Sequence, residues 1–301
     1  MEKITFITLA VNPFWIDQTI LLAQSLRAFG CSLAEAPIKV LNPAGTKPLP
    51  EDIKDKISSL QIEIIPIEIE ESALKFPLGF LPFAAAEGEK LTFGTSEQMA
   101  WVLPDTLIVS GLDSLTLNPG KQLAYRPVHH SNIGSEFGQE LDPYWTQVYR
   151  HCEVPNERVF PMTTCTRDKV LRPYINAGML VVRPENGFMR AWMESFRSAY
   201  RSAEFLPLVE DQRSAIFLHQ AILSGILLNR FTQSDLQELP EAVNYPLHLH
   251  HEYPPEHRPK RLNDLITCRY ESLKELQACM DQIGVEEPLF SWLIGNIEAA
   301  V

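Results

Sequence analysis

Asp105, in the stretch AWVLPDTLIVSG (residues 100–111), is an acid set in a strand-like apolar run. A second acid two positions earlier would make an Asp-x-Asp pair, the kind of twin carboxylate that holds a divalent ion against a diphosphate. The residue at that position is Leu103, which offers no oxygen. Asp105 is therefore read as a candidate ligand for magnesium or manganese with a weak grip. The ion would need a diphosphate to complete its shell. Charge can also be balanced without an ion. Arg126 and His129, in RPVHHSNIG, are candidate partners for phosphate oxygens, with a plain surface loop as the competing reading. His248 and His250, in YPLHLHHEY, would share one side of an extended segment and suit a transition metal. A solvated histidine-rich loop is the preferred reading there.

These side chains need a scaffold that gathers them at one edge. Residues 4–11 read as a buried parallel strand, apolar on both faces. Asn12 and Pro13 then supply a helix cap and a proline at the first helical position, and Gly30 closes that helix. Residues 38–41, 50–60 and 62–69 continue as strand, helix and strand, with an interruption expected at Pro66. This β-α-β-α-β order predicts a mainly parallel mixed sheet flanked by helices. Further helices are expected over 82–90, 188–199, 214–228, 272–283 and 289–300, and a strand over 175–182. Residues 244–261, rich in proline and histidine, read as a long loop. The division is a domain over 1–240 and a C-terminal appendage of loop and helices over 241–301, packed on the same domain.

In open α/β sheets, ligands sit beyond the carboxyl ends of the strands. That rule selects the turn Val11-Asn12-Pro13, the neighbourhood of Asp105, and the segment YINAGMLVV (residues 174–182). In the last, Asn176 offers an amide and Gly178 lets a ligand approach the backbone. A plain helix cap at Asn12 and a tight turn at 176–178 remain open alternatives.

Composition narrows the classes. The chain has 301 residues, 45% hydrophobic and 21% charged, in the range of a globular protein. Its net charge of −12, with no lysine- or arginine-rich block, argues against nucleic acid as a partner. No run approaches the length of a membrane span. Five cysteines, odd in number and without a C-x-x-C pair, argue against a disulfide framework or a structural zinc site. A cytoplasmic protein is expected. There is no G-x-x-x-x-G-K-[ST], G-x-G-x-x-G or G-x-S-x-G sequence, which weighs against a P-loop NTPase, a dinucleotide oxidoreductase and an α/β-hydrolase.

Four segments in series carry a resemblance: ITFITLAVNPFWIDQTILLAQSLRAFG, FLPFAAAEGEKLTFGTSEQMAWVLPDTLIV, RPYINAGMLVVRP and LHQAILSGIL. Together they resemble the nucleotide-diphospho-sugar transferases, glycosyltransferases of the GT-A fold, with a glycogenin-like branch nearest. The resemblance implies a nucleotide-diphosphate sugar as donor and an acceptor that it does not name. It implies that Val11 and Asn12 contact the base, that Asp105 is the surviving acid of the metal motif, and that Asn176 and Gly178 line the donor-sugar pocket. It also implies a catalytic Asp-Gln at the start of a later helix. Two positions compete: Asp211-Gln212, and His219-Gln220, where the acid would be replaced; Asp211 and Gln220 both stay candidates. The departure at Leu103 leaves a second function open, a non-catalytic nucleotide-sugar-binding or protein-interaction member of the fold. The loop PAGTKPLP, with its single Gly45, reads as an ordinary loop rather than the glycine-rich cradle of the sugar nucleotidyltransferases.

Overall fold

The computed structural model describes residues 1–43 and 51–298. The loop around Gly45 and the last two residues expected of the final helix lie outside the described residues. The first half alternates strand and helix: β1 (Thr5–Leu9), α1 (Pro13–Phe29), β2 (Ile38–Pro43), α2 (Glu51–Ser59), β3 (Ile62–Ile67) and α3 (Phe80–Thr92). Then come β4 (Met99–Val102), β5 (Thr106–Ile108), β6 (Leu123–Pro127), α4 (Pro143–His151), β7 (Met162–Thr163), β8 (Val170–Leu171), β9 (Ile175–Val182), α5 (Phe188–Arg201) and α6 (Gln212–Arg230). The tail adds β10 (Leu236–Glu238), β11 (Tyr245–Pro246), β12 (Thr267–Arg269), α7 (Leu273–Gln282) and α8 (Leu289–Glu298).

Seven strands form one sheet in the order β10-β6-β9-β4-β1-β2-β3. β1 lies inside it, parallel to both β4 and β2, and all five of its residues are buried. β9 runs against β4 and β6, so the sheet is mixed and mainly parallel. Two apolar clusters cover its faces. One packs α3, α5 and α6 on residues such as Ile7, Trp101 and Leu180; the other packs α1 on Phe6, Ala100 and Val181.

Local chemistry explains the elements. Asn12 caps α1, its Oδ1 accepting the Trp15 N–H at 3.0 Å, with Pro13 following. Gly88 stands in mid-helix, where glycine costs about 1 kcal/mol relative to alanine. It is needed because a Cβ there would come within 2.5 Å of Ile7 Cγ2, so it sets how closely α3 lies on β1. The expected break at Pro66 is absent: β3 pairs straight through it, with Pro66 opposite Asn42. β3 is an edge strand, so the missing N–H interrupts no ladder.

Residues 97–109 divide between two sheets. β4 belongs to the large one, whereas β5 pairs antiparallel with β12 in a small sheet of order β11-β12-β5. The appendage is thus not helical alone; it contributes strands. A third apolar cluster joins Leu247, Leu265, Leu276 and Leu293 to Leu21 and Leu107. Among the described residues, no helix is long and apolar enough to cross a membrane.

Candidate functional site

The carboxyl ends of β4 and β6 meet the start of β9, which runs the other way, at one edge of the large sheet. A cleft of about 440 Å³ opens there, within the usual size of a small-ligand pocket. Its lining brings together Leu103 and Asp105 after β4, His129 and His130 after β6, Asn176 and Gly178 from β9, and His219 and Gln220 from α6. Phe14, Trp15 and Gln18 supply the α1 wall, and His248, Arg269 and Glu271 come from the tail. A larger recess, of about 630 Å³, lies by α3 and α5. Its buried acid, Glu89, already accepts the Met189 and Arg190 backbone N–H groups at 3.0 Å, capping α5. The convergence of strand ends favours the first cavity.

Asp105 is not a bare carboxylate. Arg269 Nε donates to its Oδ1 at 3.2 Å and Oδ2 at 3.1 Å, and Arg269 Nη2 donates to Oδ2 as well. The pairing is built by the small sheet, whose register sets Arg269 opposite Thr106, while the Asp105 carbonyl accepts the Tyr270 N–H at 3.0 Å. Leu103 N donates to the Gly178 carbonyl at 2.9 Å and the Leu103 side chain joins the core, at 8% exposure. Gly178 is required where it stands. A Cβ would meet Asn176 Oδ1 at 2.8 Å and Arg269 Nη1 at 3.0 Å.

Asn176 is a buried latch as well as a lining residue. Its Oδ1 accepts the Gly178 N–H at 2.7 Å and the Asn244 amide at 3.2 Å. Its amide nitrogen stands 3.5 Å from His129 Nε2. Burial, reinforced by Arg269 and His248, pushes His129 well below the ordinary histidine range, so it is neutral. His219 is neutral for the same first reason, burial, which pushes it down to about 4. Its Nδ1 lies 2.8 Å from the Ile216 carbonyl, an acceptor, so Nδ1 carries the proton and Nε2 the lone pair. Gln220 Oε1 accepts the Ala177 N–H at 3.3 Å, tying α6 to the start of β9.

Several sequence expectations fall elsewhere. Arg126 is buried at 3% exposure and does not line the cleft. Its Nη1 donates to the Leu239 carbonyl at 2.6 Å and to Glu238 Oε1 at 3.4 Å, and its Nη2 contacts Cys165 Sγ at 3.2 Å. It braces β6 against the end of β10 and the residue after it. Val11 and Asn12 do not line the cleft either; the next residues of the turn, Phe14 and Trp15, do. The cap bond consumes the Asn12 side chain. Asp211 caps α6 through the Ser214 N–H at 2.9 Å and is exposed, outside the cleft, whereas Gln220 lies two turns further on and inside it. Of the two competing positions, only His219-Gln220 lines the cleft. His248 and His250 do not act as a pair. Residues Leu247–Glu252 form a 3-10 helix rather than an extended segment, which turns the two rings apart. His248 lines the cleft, while His250 Nδ1 contacts the Tyr245 hydroxyl at 3.0 Å.

Arg269 was invisible to sequence reasoning. It sits in an unremarkable stretch, LITCRYESL, and reaches the site only through the β12–β5 pairing. Phe14 and Trp15 could have been found from their place beside the Asn12 cap.

A divalent ion fits this site poorly. Among the described residues, no three of His, Cys, Asp and Glu stand together to hold one. Asp105 already carries a guanidinium on both oxygens.

A sequence model of the Rhodobacterales glycosyltransferase domain matches residues 12–228. In fold, the chain is similar to the galactosyltransferase LgtC, crystallised in complex with donor and acceptor sugar analogues. The two share 13% identity at a TM-score of 0.50, over 96% of this chain and 99% of that one. No curated protein matches.

Proposed function

We propose that this chain, which belongs to the Rhodobacterales glycosyltransferase domain family, binds a nucleotide-diphosphate sugar in the cleft and transfers the sugar to an acceptor hydroxyl. The observation that carries this reading is convergence. Four segments far apart in sequence, bearing Asp105, His129, Asn176 with Gly178, and His219 with Gln220, line one cavity at the carboxyl edge of the sheet. Phe14, exposed at 48%, and Trp15 form an aromatic wall on which a base can stack. The diphosphate lies toward Arg269, and the sugar lies toward Asn176 and Gln220.

In such a transfer the bond between the anomeric carbon and the diphosphate oxygen breaks, and its electron pair leaves on the diphosphate. The acceptor oxygen bonds the same carbon and its proton passes to the departing diphosphate. The protein's task is to stabilise the leaving charge with donors fixed in advance. The neutral histidines keep the floor free of competing charge, and His219 Nε2 is an acceptor suited to a sugar hydroxyl. Five free cysteines, four of them buried, suit a reducing compartment, which supports a cytoplasmic site of action.

A non-catalytic, sugar-binding role has Leu103 in its favour. A panel of nucleotide sugars in a thermal-shift assay, followed by donor hydrolysis with the stabilising compound, separates the readings. Stabilisation with turnover supports transfer; stabilisation without turnover supports binding alone. A panel in which no nucleotide sugar raises the melting temperature rejects both.

A further inference from the structure

We propose that Arg269 is a built-in cation for the donor diphosphate, standing in for the divalent ion that an Asp-x-Asp pair would hold; this rests on the nucleotide-sugar reading above. Charge makes the exchange balance. Two carboxylates and a doubly charged ion sum to zero, and so do one carboxylate and one guanidinium. The leucine at position 103 and the arginine beside Asp105 are then two halves of one arrangement.

Geometry assigns the arginine a task beyond neutralising Asp105. Guanidinium has donors on all three nitrogens. Asp105 takes Nε and Nη2. Nη1 has no hydrogen-bond partner among the described residues, nor does it belong to the buried unsatisfied atoms, so it reaches the cleft that Arg269 lines. Nη1 thus turns to the cavity, and its N–H beside the second N–H of Nη2 makes the outer edge of the planar fork. Phosphate oxygens are the acceptors that such a fork suits, with charge-assisted bonds stronger than neutral ones. Both partners are largely sheltered, Arg269 at 20% and Asp105 at 15% side-chain exposure, which reduces screening by solvent.

The surroundings hold the fork in place. Asp105 fixes its plane, and Gly178 leaves the space that Nη1 occupies. The other charged group of the cleft wall, Glu271, points its carboxylate toward His248, 4.0 Å away. An added dication would meet a guanidinium at contact distance and only one shared acid. The neutral His129 and His219 offer lone pairs but no charge.

The test uses the full chain and calorimetry with UDP, GDP, ADP, CDP and inorganic pyrophosphate, each in EDTA and in manganese. The expected result is binding of at least one nucleoside diphosphate in EDTA, with an affinity that manganese changes by less than about threefold. Arg269→Gln is expected to weaken that affinity about tenfold or more, with Arg269→Lys intermediate because it keeps charge but loses the fork. Binding that needs manganese overturns the built-in cation while leaving the donor reading in place. So does an Arg269→Gln variant that melts as a folded protein and binds as wild type. Absence of binding by every nucleotide in both conditions overturns the donor reading and this inference with it. If Arg269→Gln does not fold, the wild-type comparison of EDTA with manganese still decides.

Discussion

Arg126 and Arg269 are both arginines near the carboxyl edge of the sheet, and they do opposite things. Arg126 is 3% exposed, and its hydrogen bonds run to the Leu239 carbonyl, Glu238 and Cys165, all parts of the scaffold. Arg269 spends two of its nitrogens on Asp105 and turns the third to the cleft. The one next to a suggestive histidine loop is a brace; the one from a featureless tail is the cation of the site. The difference lies in what each guanidinium leaves unpaired, a property of the tertiary neighbours rather than of the arginine.

The comparison can be sharpened first by pH, where the largest effect is expected. His219 is pushed down to about 4 by burial, and His129 is pushed well below its usual range. The unfolded chain therefore takes up protons at these positions before the folded chain does. Stability should be full above about pH 6.5 and should fall as pH drops toward about 4, by about 3 kcal/mol from His219 alone at 1.36 kcal/mol per pKa unit. Urea denaturation at stepped pH measures this, and His219→Asn should flatten the slope. An unchanged slope in that variant would show that His219 is not the source.

Next comes Arg126 itself. Replacing it by methionine removes the partner of a buried carbonyl and of Glu238, at a cost of about 2 kcal/mol. Nucleotide affinity at temperatures where the variant is folded should stay within about twofold of wild type, well inside the tenfold worth of 1.4 kcal/mol. A folded Arg126→Met protein that has lost nucleotide binding would erase the contrast between the two arginines.

The smallest expected effect falls on the two rival positions for the catalytic Asp-Gln. Asp211→Ala removes a helix cap and should cost about 1 kcal/mol in urea unfolding with nucleotide affinity intact. Loss of affinity in that variant, without loss of stability, would place Asp211 back in the site.

Much of the site's frame was legible. Strand β1, its Asn12-Pro13 helix start and strand β9 follow from a few neighbouring residues each, because apolar periodicity and capping are local. The helix α4 carries the same signature, Asp142 before Pro143 with Asp142 Oδ1 accepting the Trp145 N–H at 2.7 Å, and could have been read the same way. Asp105, Asn176 and Gly178 follow from strand ends and His129 from its histidine-bearing loop, and the four share a cleft that Val11 and Asn12, selected by the same strand-end rule, do not line.

The sequence by itself determined which residues stand at strand ends, since alternation of strand and helix forces those ends to one edge. It also determined that no acid stands two positions before Asp105, because Leu103 has no oxygen. Only the tertiary structure decided what stands beside Asp105. The partner of Asp105 lies 164 residues away and arrives through an antiparallel strand pair in the tail. It decided, too, that Asp211 caps a helix while Gln220, nine residues later, enters the cleft. The side on which a helix meets the sheet is fixed by packing between distant segments, and no local pattern encodes it.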